Sequence, residues 1–224
     1  MSTLPSLEDA VEFAENPEPR CPCVLLLDCS GSMDGAPIAA LGEGLKIFRD
    51  QLAADTLASR RVEVAVVTFN STVAVARDFV TADSFVVPEL AATGLTHMGE
   101  GIQVALDLVE ARKATYRSNG IAYYRPWIFL ITDGEPQGEP TDVVDAAAKR
   151  IQDAEAAKKV AFFGVGVEQA NVQRLGELLV RQPLKLNGLN FVELFVWLSA
   201  SMQAVSQSRV DDQVTLPPPG WATV

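Results

Sequence analysis

Residues 23–35, CVLLLDCSGSMDG, pass in one step from an unbroken apolar run to a carboxylate, two hydroxyls and two glycines. The first half, 23–28, has the form of a short strand buried on both faces that ends on a carboxylate. The same pattern returns at 127–134, WIFLITDG, where an apolar run stops on Asp133 and a glycine follows. Strands covered on both sides arise where helices cross between parallel neighbours, so these two stretches set the fold class.

The rest of the chain fits that frame. Ile38, Leu41, Leu45, Phe48 and Leu52 recur three and four residues apart behind Pro37 and predict a helix from about Ala36 to Leu57. Residues 62–69 and 73–80 read as two strands joined by the turn NST at 70–72, a connection short enough to join only antiparallel neighbours. Ile102, Ala105, Leu106 and Val109 mark a second helix, ending near Tyr116. Residues 141–159 form a third, with acids early and lysines late, before a buried strand at 160–167. A short helix from Val172, a possible edge strand at 183–186 and a last helix at 191–208 complete the pattern. The expected architecture is α/β, a Rossmann-like, doubly wound and mostly parallel sheet with one antiparallel edge strand and helices on both faces. One domain is expected over 21–208, with an N-terminal extension at 1–20 and a proline-containing tail at 209–224 that ends the packed domain.

The chain of 224 residues carries 29 acidic and 18 basic residues, a formal charge of −11, so its average field repels nucleic acid and anionic membrane. A cationic partner or a divalent cation fits better. The polar, acidic start has neither the basic flank nor the apolar core of a signal peptide, no apolar run has membrane-spanning length, and a cytoplasmic setting is expected. Cys21, Cys23 and Cys29 are too few and too clustered for a disulfide framework. No second Cys/His pair completes a zinc site, so they are expected to be small buried thiols.

In an open α/β sheet, ligands bind beyond the carboxyl ends of the strands where strand order reverses. Asp28 and Asp133 both occupy such ends, and on neighbouring strands they would converge within reach of one cation. The spacing Asp28-x-Ser30-x-Ser32 lets a chain turning from strand to helix aim alternate side chains at one centre. Thr96 is offered by a third element, the glycine-flanked loop GLTHMGEG at 94–101. These are hard oxygen donors that suit Mg²⁺, with Mn²⁺ or Ca²⁺ as alternatives. Two carboxylates balance a divalent ion formally, which leaves the metal able to take a further anionic ligand, such as an Asp or Glu of a protein partner.

Asp28-Cys29-Ser30-Gly31-Ser32, Thr96 before a helix, and Asp133-Gly134 after a strand together resemble the metal-ion-dependent adhesion site of von Willebrand factor A (vWA) domains over roughly residues 20–208. CPCVLLLDCSGSM, GLTHMGEGI, LITDGEP and FVELFVWLSASMQAVS are further similar to the small bacterial tellurite-resistance proteins of the TerY type. That resemblance implies a vWA fold with the metal at the top of the sheet and a part in protein association without catalysis. Some relatives sit beside a kinase and a phosphatase in proposed phosphorylation modules, and either enzyme is then a candidate partner. The resemblance implies that Ser30 and Ser32 bind the metal directly, Thr96 directly or through water, and Asp28 and Asp133 often through bridging waters.

Other residues have plainer explanations. The lone histidine, His97, is expected to be a solvated loop side chain, and Asp34 and Glu135 turn or cap residues. Gly164-Val165-Gly166 lacks the third glycine and helix start of a dinucleotide loop. Trp221, beyond the prolines, is either a docking aromatic or part of a disordered end. The competing functional classes are a phosphotransferase or phosphatase using Asp28 as nucleophile beside Mg²⁺, and a structural subunit with a vestigial site. Ser30 stands where such a phosphatase would carry a second, proton-moving aspartate.

Overall fold

A computed structural model describes residues 7–168, 170–210 and 212–223 of the chain. Strand β1, Cys21–Asp28, is buried at all eight positions. Its even and odd side chains divide between two cores. Cys21, Cys23, Leu25 and Leu27 face one side, and Val24 and Leu26 face the other. Burial on both faces is what the unbroken apolar run requires.

The chain continues through α2, Ala36–Ala54, and the short helix α3, Ala58–Arg61, into β2, Val62–Phe69, and turns back as β3, Val73–Thr81. Helix α4, Met98–Ser118, leads to β4, Trp127–Thr132, and α5, Thr141–Ala156, leads to β5, Ala161–Gly166. Then come α6, Val172–Leu178, β6, Leu184–Leu186, and α7, Phe191–Gln207. With a last two-residue strand β7, Ala222–Thr223, the sheet order is β3-β2-β1-β4-β5-β6-β7, parallel from β2 to β6 and antiparallel at β3 and β7. Helices α2 and α7 cover one face through Leu41, Leu45, Phe48, Leu194, Phe195 and Leu198, and α4, α5 and α6 cover the other through Ile102, Leu106, Ile151 and Leu175. The α/β fold class expected from the sequence is the one observed, and β1 and β4 lie side by side where the strand order reverses. The predicted first helix is shorter than expected, because Asp55 ends it and its carboxylate accepts from the backbone N–H groups of Leu57 and Ala58 at 3.0 and 2.7 Å, starting α3. Among the described residues, no helix is long and apolar enough to cross a membrane.

Two features at the chain ends have no counterpart in the sequence reading. The extension at 1–20 contains helix α1, Leu7–Glu15, and its Phe13 ring lies under the guanidinium groups of Arg20 and Arg112, each 5.1 Å from the ring centroid. Both arginines converge on Glu63, which is fully buried: Arg20 Nε donates at 2.8 Å, Arg112 Nε and Nη2 at 2.8 and 2.9 Å, and the Tyr116 hydroxyl also donates to it. At the other end, the tail runs back along the sheet and adds a two-residue antiparallel strand, β7, Ala222–Thr223, to β6. Trp221 is 2% exposed and meets Trp197 edge-on at 5.6 Å, and the Trp197 indole donates to the Pro217 carbonyl at 2.7 Å. Trp221 thus serves as an anchor for this chain's own tail, since a large apolar ring gains more from this core than from solvent.

Among the described residues the buried Trp221 Nε1 meets no hydrogen-bond partner. Trp221→Phe removes that orphaned donor while keeping an aromatic ring, and is expected to change stability by less than about 1.5 kcal/mol. Trp221→Ala is expected to cost about 3–5 kcal/mol in urea denaturation. Equal effects of the two substitutions would show that the ring contributes nothing as an anchor.

Candidate metal site at the ends of β1 and β4

Asp28 ends β1 with no exposed surface, and both of its carboxylate oxygens are engaged. Oδ1 accepts from the backbone N–H of Ser30 at 2.8 Å, and Oδ2 accepts from the Thr132 hydroxyl at 2.5 Å. The first bond curls the chain back as it leaves β1, in the manner of an Asx turn. The second ties β1 to β4, whose paired residues run through Leu27 and Ile131. Thr132 Oγ1 in turn accepts from the Gly134 N–H at 3.1 Å, which shapes the turn after β4.

A chain of polar atoms crosses the gap between the strands. The Ser30 and Ser32 hydroxyls are 3.0 Å apart, and Ser32 Oγ donates to Asp133 Oδ1 at 2.8 Å. Asp28, Ser30, Ser32 and Asp133 therefore form one connected cluster. Burial raises the Asp28 carboxyl above its ordinary range; the hydrogen bonds from Ser30 and Thr132 pull it back, and the charge of Asp133 pushes it up again. Among the described residues neither aspartate forms an ion pair with Lys, Arg or His, so no protein cation balances the two carboxylates.

Thr96 is 4% exposed and is joined to this cluster through the backbone. It forms an antiparallel bridge with Gln137 of the loop after β4, at 3.2 and 2.9 Å. The loop that carries Thr96 accepts from Gly31 N through the Gly94 carbonyl at 3.0 Å, and its Thr93 N donates to the Cys29 carbonyl at 2.8 Å. The His97 N–H donates to the Asn70 carbonyl at 2.9 Å, so the β2–β3 turn belongs to the same knot. Gly94 sits at φ +77°, and a β-carbon there would lie 2.5 Å from Ser71 Oγ, the atom that accepts from Leu95 N at 2.8 Å.

Thr132 and Glu139 complete the site's support, and the sequence alone did not single out either. Glu139 accepts from the N–H groups of Gly99 and Glu100 at 2.7 and 3.0 Å and so caps α4 from across the loop. The remaining candidates have other employments. His97 Nδ1 is 3.5 Å from Glu100, Glu135 accepts from Asn171 at 3.0 Å, and Asn171 caps α6. Gly164 and Gly166 make room for the residues flanking α6, since β-carbons there would meet Leu179 at 2.3 Å and Ala170 at 3.0 Å. All three cysteines are free and buried, and burial, reinforced by the Asp28 charge, pushes the Cys29 thiol up to about 12. Burial likewise pushes the Cys21 and Cys23 thiols upward.

Residues 23–184 match the family described as von Willebrand factor type A domain. No curated protein matches the chain. Among solved structures, a von Willebrand factor type A protein from Catenulispora acidiphila is similar at a TM-score of 0.64 and 20% identity, over 83% of this chain and 43% of that one. The vWF domain of the type V pili tip protein Mfa5 from Porphyromonas gingivalis gives a TM-score of 0.65 at 12% identity, over 88% and 99% of the two chains. The pilus adhesin SpaC from Lactobacillus rhamnosus GG gives 0.66 at 14%, over 84% and 30%. The chain thus spans less than half the length of the Catenulispora and Lactobacillus structures.

Gly94→Ala should strain the loop that carries Thr96 and lower stability by about 1–3 kcal/mol, with loss of hydrogen-exchange protection at Gly31 and Thr93. In the native protein a thiol reagent at pH 8 should modify none of the three cysteines quickly, and all three should react once the chain is unfolded. Rapid labelling of a native thiol would overturn the reading of these cysteines as buried, unreactive thiols.

Proposed function

Because the chain belongs to the von Willebrand factor type A domain family, we propose that it is a metal-dependent protein-interaction module that engages an acidic residue of a partner. The observation that carries this reading is the connected cluster of Asp28, Ser30, Ser32 and Asp133 at the strand-order reversal, with two carboxylates and no protein cation among the described residues. Such a donor set suits a hard divalent cation. Asp28, Ser30, Ser32, Thr96 and Asp133 would hold Mg²⁺, with Mn²⁺ or Ca²⁺ as alternatives, Asp28 doing so through a bridging water while it braces the loop. A bound ion would supply positive charge and a coordination position for a carboxylate oxygen from outside.

The chain's own residues prepare the place for that ligand. Asp28 fixes the turn after β1 and its contact with β4, Glu139 and Gln137 fix the loop before α4, and Gly31 and Gly94 join the two. The nucleophile reading draws no support from this geometry, because the Asp28 carboxylate is buried with both oxygens hydrogen-bonded. The similarity to tellurite-resistance proteins suggests the setting, a stress-associated phosphorylation system whose kinase or phosphatase would be the partner. Three free buried thiols suit a reducing, cytoplasmic compartment.

Thermal unfolding with and without MgCl₂ tests the reading. A saturating excess of about 100 times Kd should raise the melting temperature by roughly 5–10 °C, a gain of about 2.7 kcal/mol. Ser32→Ala should remove most of the shift, and partner capture should require Mg²⁺ and Ser32. Phosphatase turnover that needs metal and is lost in Asp28→Asn would sink the proposal, and so would a melting temperature indifferent to every divalent cation.

A further inference from the structure

At the opposite end of the strands lies a cavity of about 440 Å³, a size typical of small-molecule sites. One wall is aromatic: Trp127, at the start of β4, and Phe163, within β5, have ring centroids 5.3 Å apart. The roof is the returning tail, through Val214 and Leu216. Its mouth is cationic, with Arg125, Arg181 and Lys158 in the lining of a protein whose overall charge is −11.

The two guanidinium groups are held in place. Glu155, with a side chain 6% exposed, accepts from Arg181 Nε at 2.8 Å and from Arg125 Nη2 at 2.6 Å, and Arg125 Nε donates to the Val160 carbonyl at 2.8 Å. Arg181 also lies 5.1 Å from the centroid of the Phe163 ring. These bonds use Nε and Nη2 of each arginine, and among the described residues neither Nη1 is bonded. With side chains 32% and 40% exposed, both present donors to an entering anion. Glu155 offsets one of the three positive charges, and Asp212, whose carboxylate accepts from the Arg209 N–H at 2.9 Å, offsets a second, leaving one net positive charge among the described residues there.

Lys158 adds a third cation to the lining, just beyond the end of α5. Helix α5 ends with Lys158 N donating to the Glu155 carbonyl at 2.9 Å and Lys159 N to the Ala154 carbonyl at 2.8 Å, an arrangement that calls for a left-handed residue between them, usually glycine. That residue is Lys158, at φ +54°. The turn at the end of α5 accounts for this conformation, and the exposed Lys158 side chain contributes to the cavity lining.

We propose that this cavity binds a small amphipathic anion, a carboxylate or phosphate carried on an aromatic or similarly apolar body. The head sits among Arg125, Arg181 and Lys158, and the body lies between Trp127 and the tail. Guanidinium groups preset by a buried carboxylate lose little freedom on binding an oxyanion. The apolar body gains affinity by leaving water.

The test uses the full chain and phenyl phosphate, with benzoate, inorganic phosphate and benzyl alcohol as comparators, followed by calorimetry and by tryptophan fluorescence. Phenyl phosphate or benzoate should bind at one saturable site at least about tenfold more tightly than inorganic phosphate or benzyl alcohol, and whichever of the two binds better identifies the head group. Arg181→Gln and Lys158→Gln should each weaken binding severalfold, and Val214→Trp, which fills the cavity, should abolish it in a protein whose circular dichroism is unchanged. Ser32→Ala should bind the probe normally, so failure here and failure of the metal reading are separable. The absence of saturable binding by both phenyl phosphate and benzoate overturns the proposal. So does inorganic phosphate binding as well as the aromatic anions, or full binding by a folded Val214→Trp protein.

Discussion

The upper end of this molecule depends on a carboxylate placed where water cannot reach it. Burying Asp28 charged and unpartnered would be costly, and the protein meets that cost with a backbone N–H from its own loop and a hydroxyl from the neighbouring strand. Each partner imposes geometry. The Ser30 N–H is available only if the chain curls directly after β1, and the Thr132 hydroxyl only if β4 lies beside β1 in the observed register. Satisfying one side chain therefore closes the first loop and positions the second, and Ser32 and Asp133 meet as a result.

That dependence explains which parts of the site can be read in the sequence. Asp28 and Asp133 are visible because each ends an apolar run, and parallel strands linked by helices must reverse order somewhere. Ser30 and Ser32 follow from their spacing. Thr132 is not visible, since its role comes from the pairing of Leu27 with Ile131, and lateral register has no local signal when every residue of both strands is buried. Glu139 is hidden for a similar reason: it caps α4, which begins about forty residues earlier in the chain, and no capping motif adjoins that helix start. Thr96 could be named from its loop, but its attachment is through backbone bonds to Gln137, which no side-chain pattern reveals.

At the chain ends, local composition and tertiary burial pull in opposite directions. Three consecutive prolines at 217–219, ten residues beyond the end of α7, exclude a further helix there, and that much is local. They do not rule out return to the core, and a Pro carbonyl without a helical partner is free to accept from Trp197. The ring of Trp221 then decides the path. Residues 7–20 follow similar logic, because the acidic stretch that looks solvated also carries Phe13, and Phe13 finds a place only between two arginines whose charges are already required by Glu63.

Charge divides the work between the two ends of the sheet. A net charge of −11 opposes the approach of any acidic partner, yet that opposition is screened beyond a Debye length of about 8 Å at physiological salt. Close in, the like charges of Asp28 and Asp133 oppose each other, and a divalent cation held by this site would relieve that opposition while leaving little net negative charge. On the proposed reading, attraction of an acidic residue is therefore confined to contact range and vanishes with the metal, while the rest of the surface discourages anions. The lower cavity handles the same background differently, by concentrating Arg125, Arg181 and Lys158 around one buried glutamate. A fixed set of cations holds its field without a metal, so if both proposals hold, a chelator would silence the upper site and leave the lower cavity unchanged.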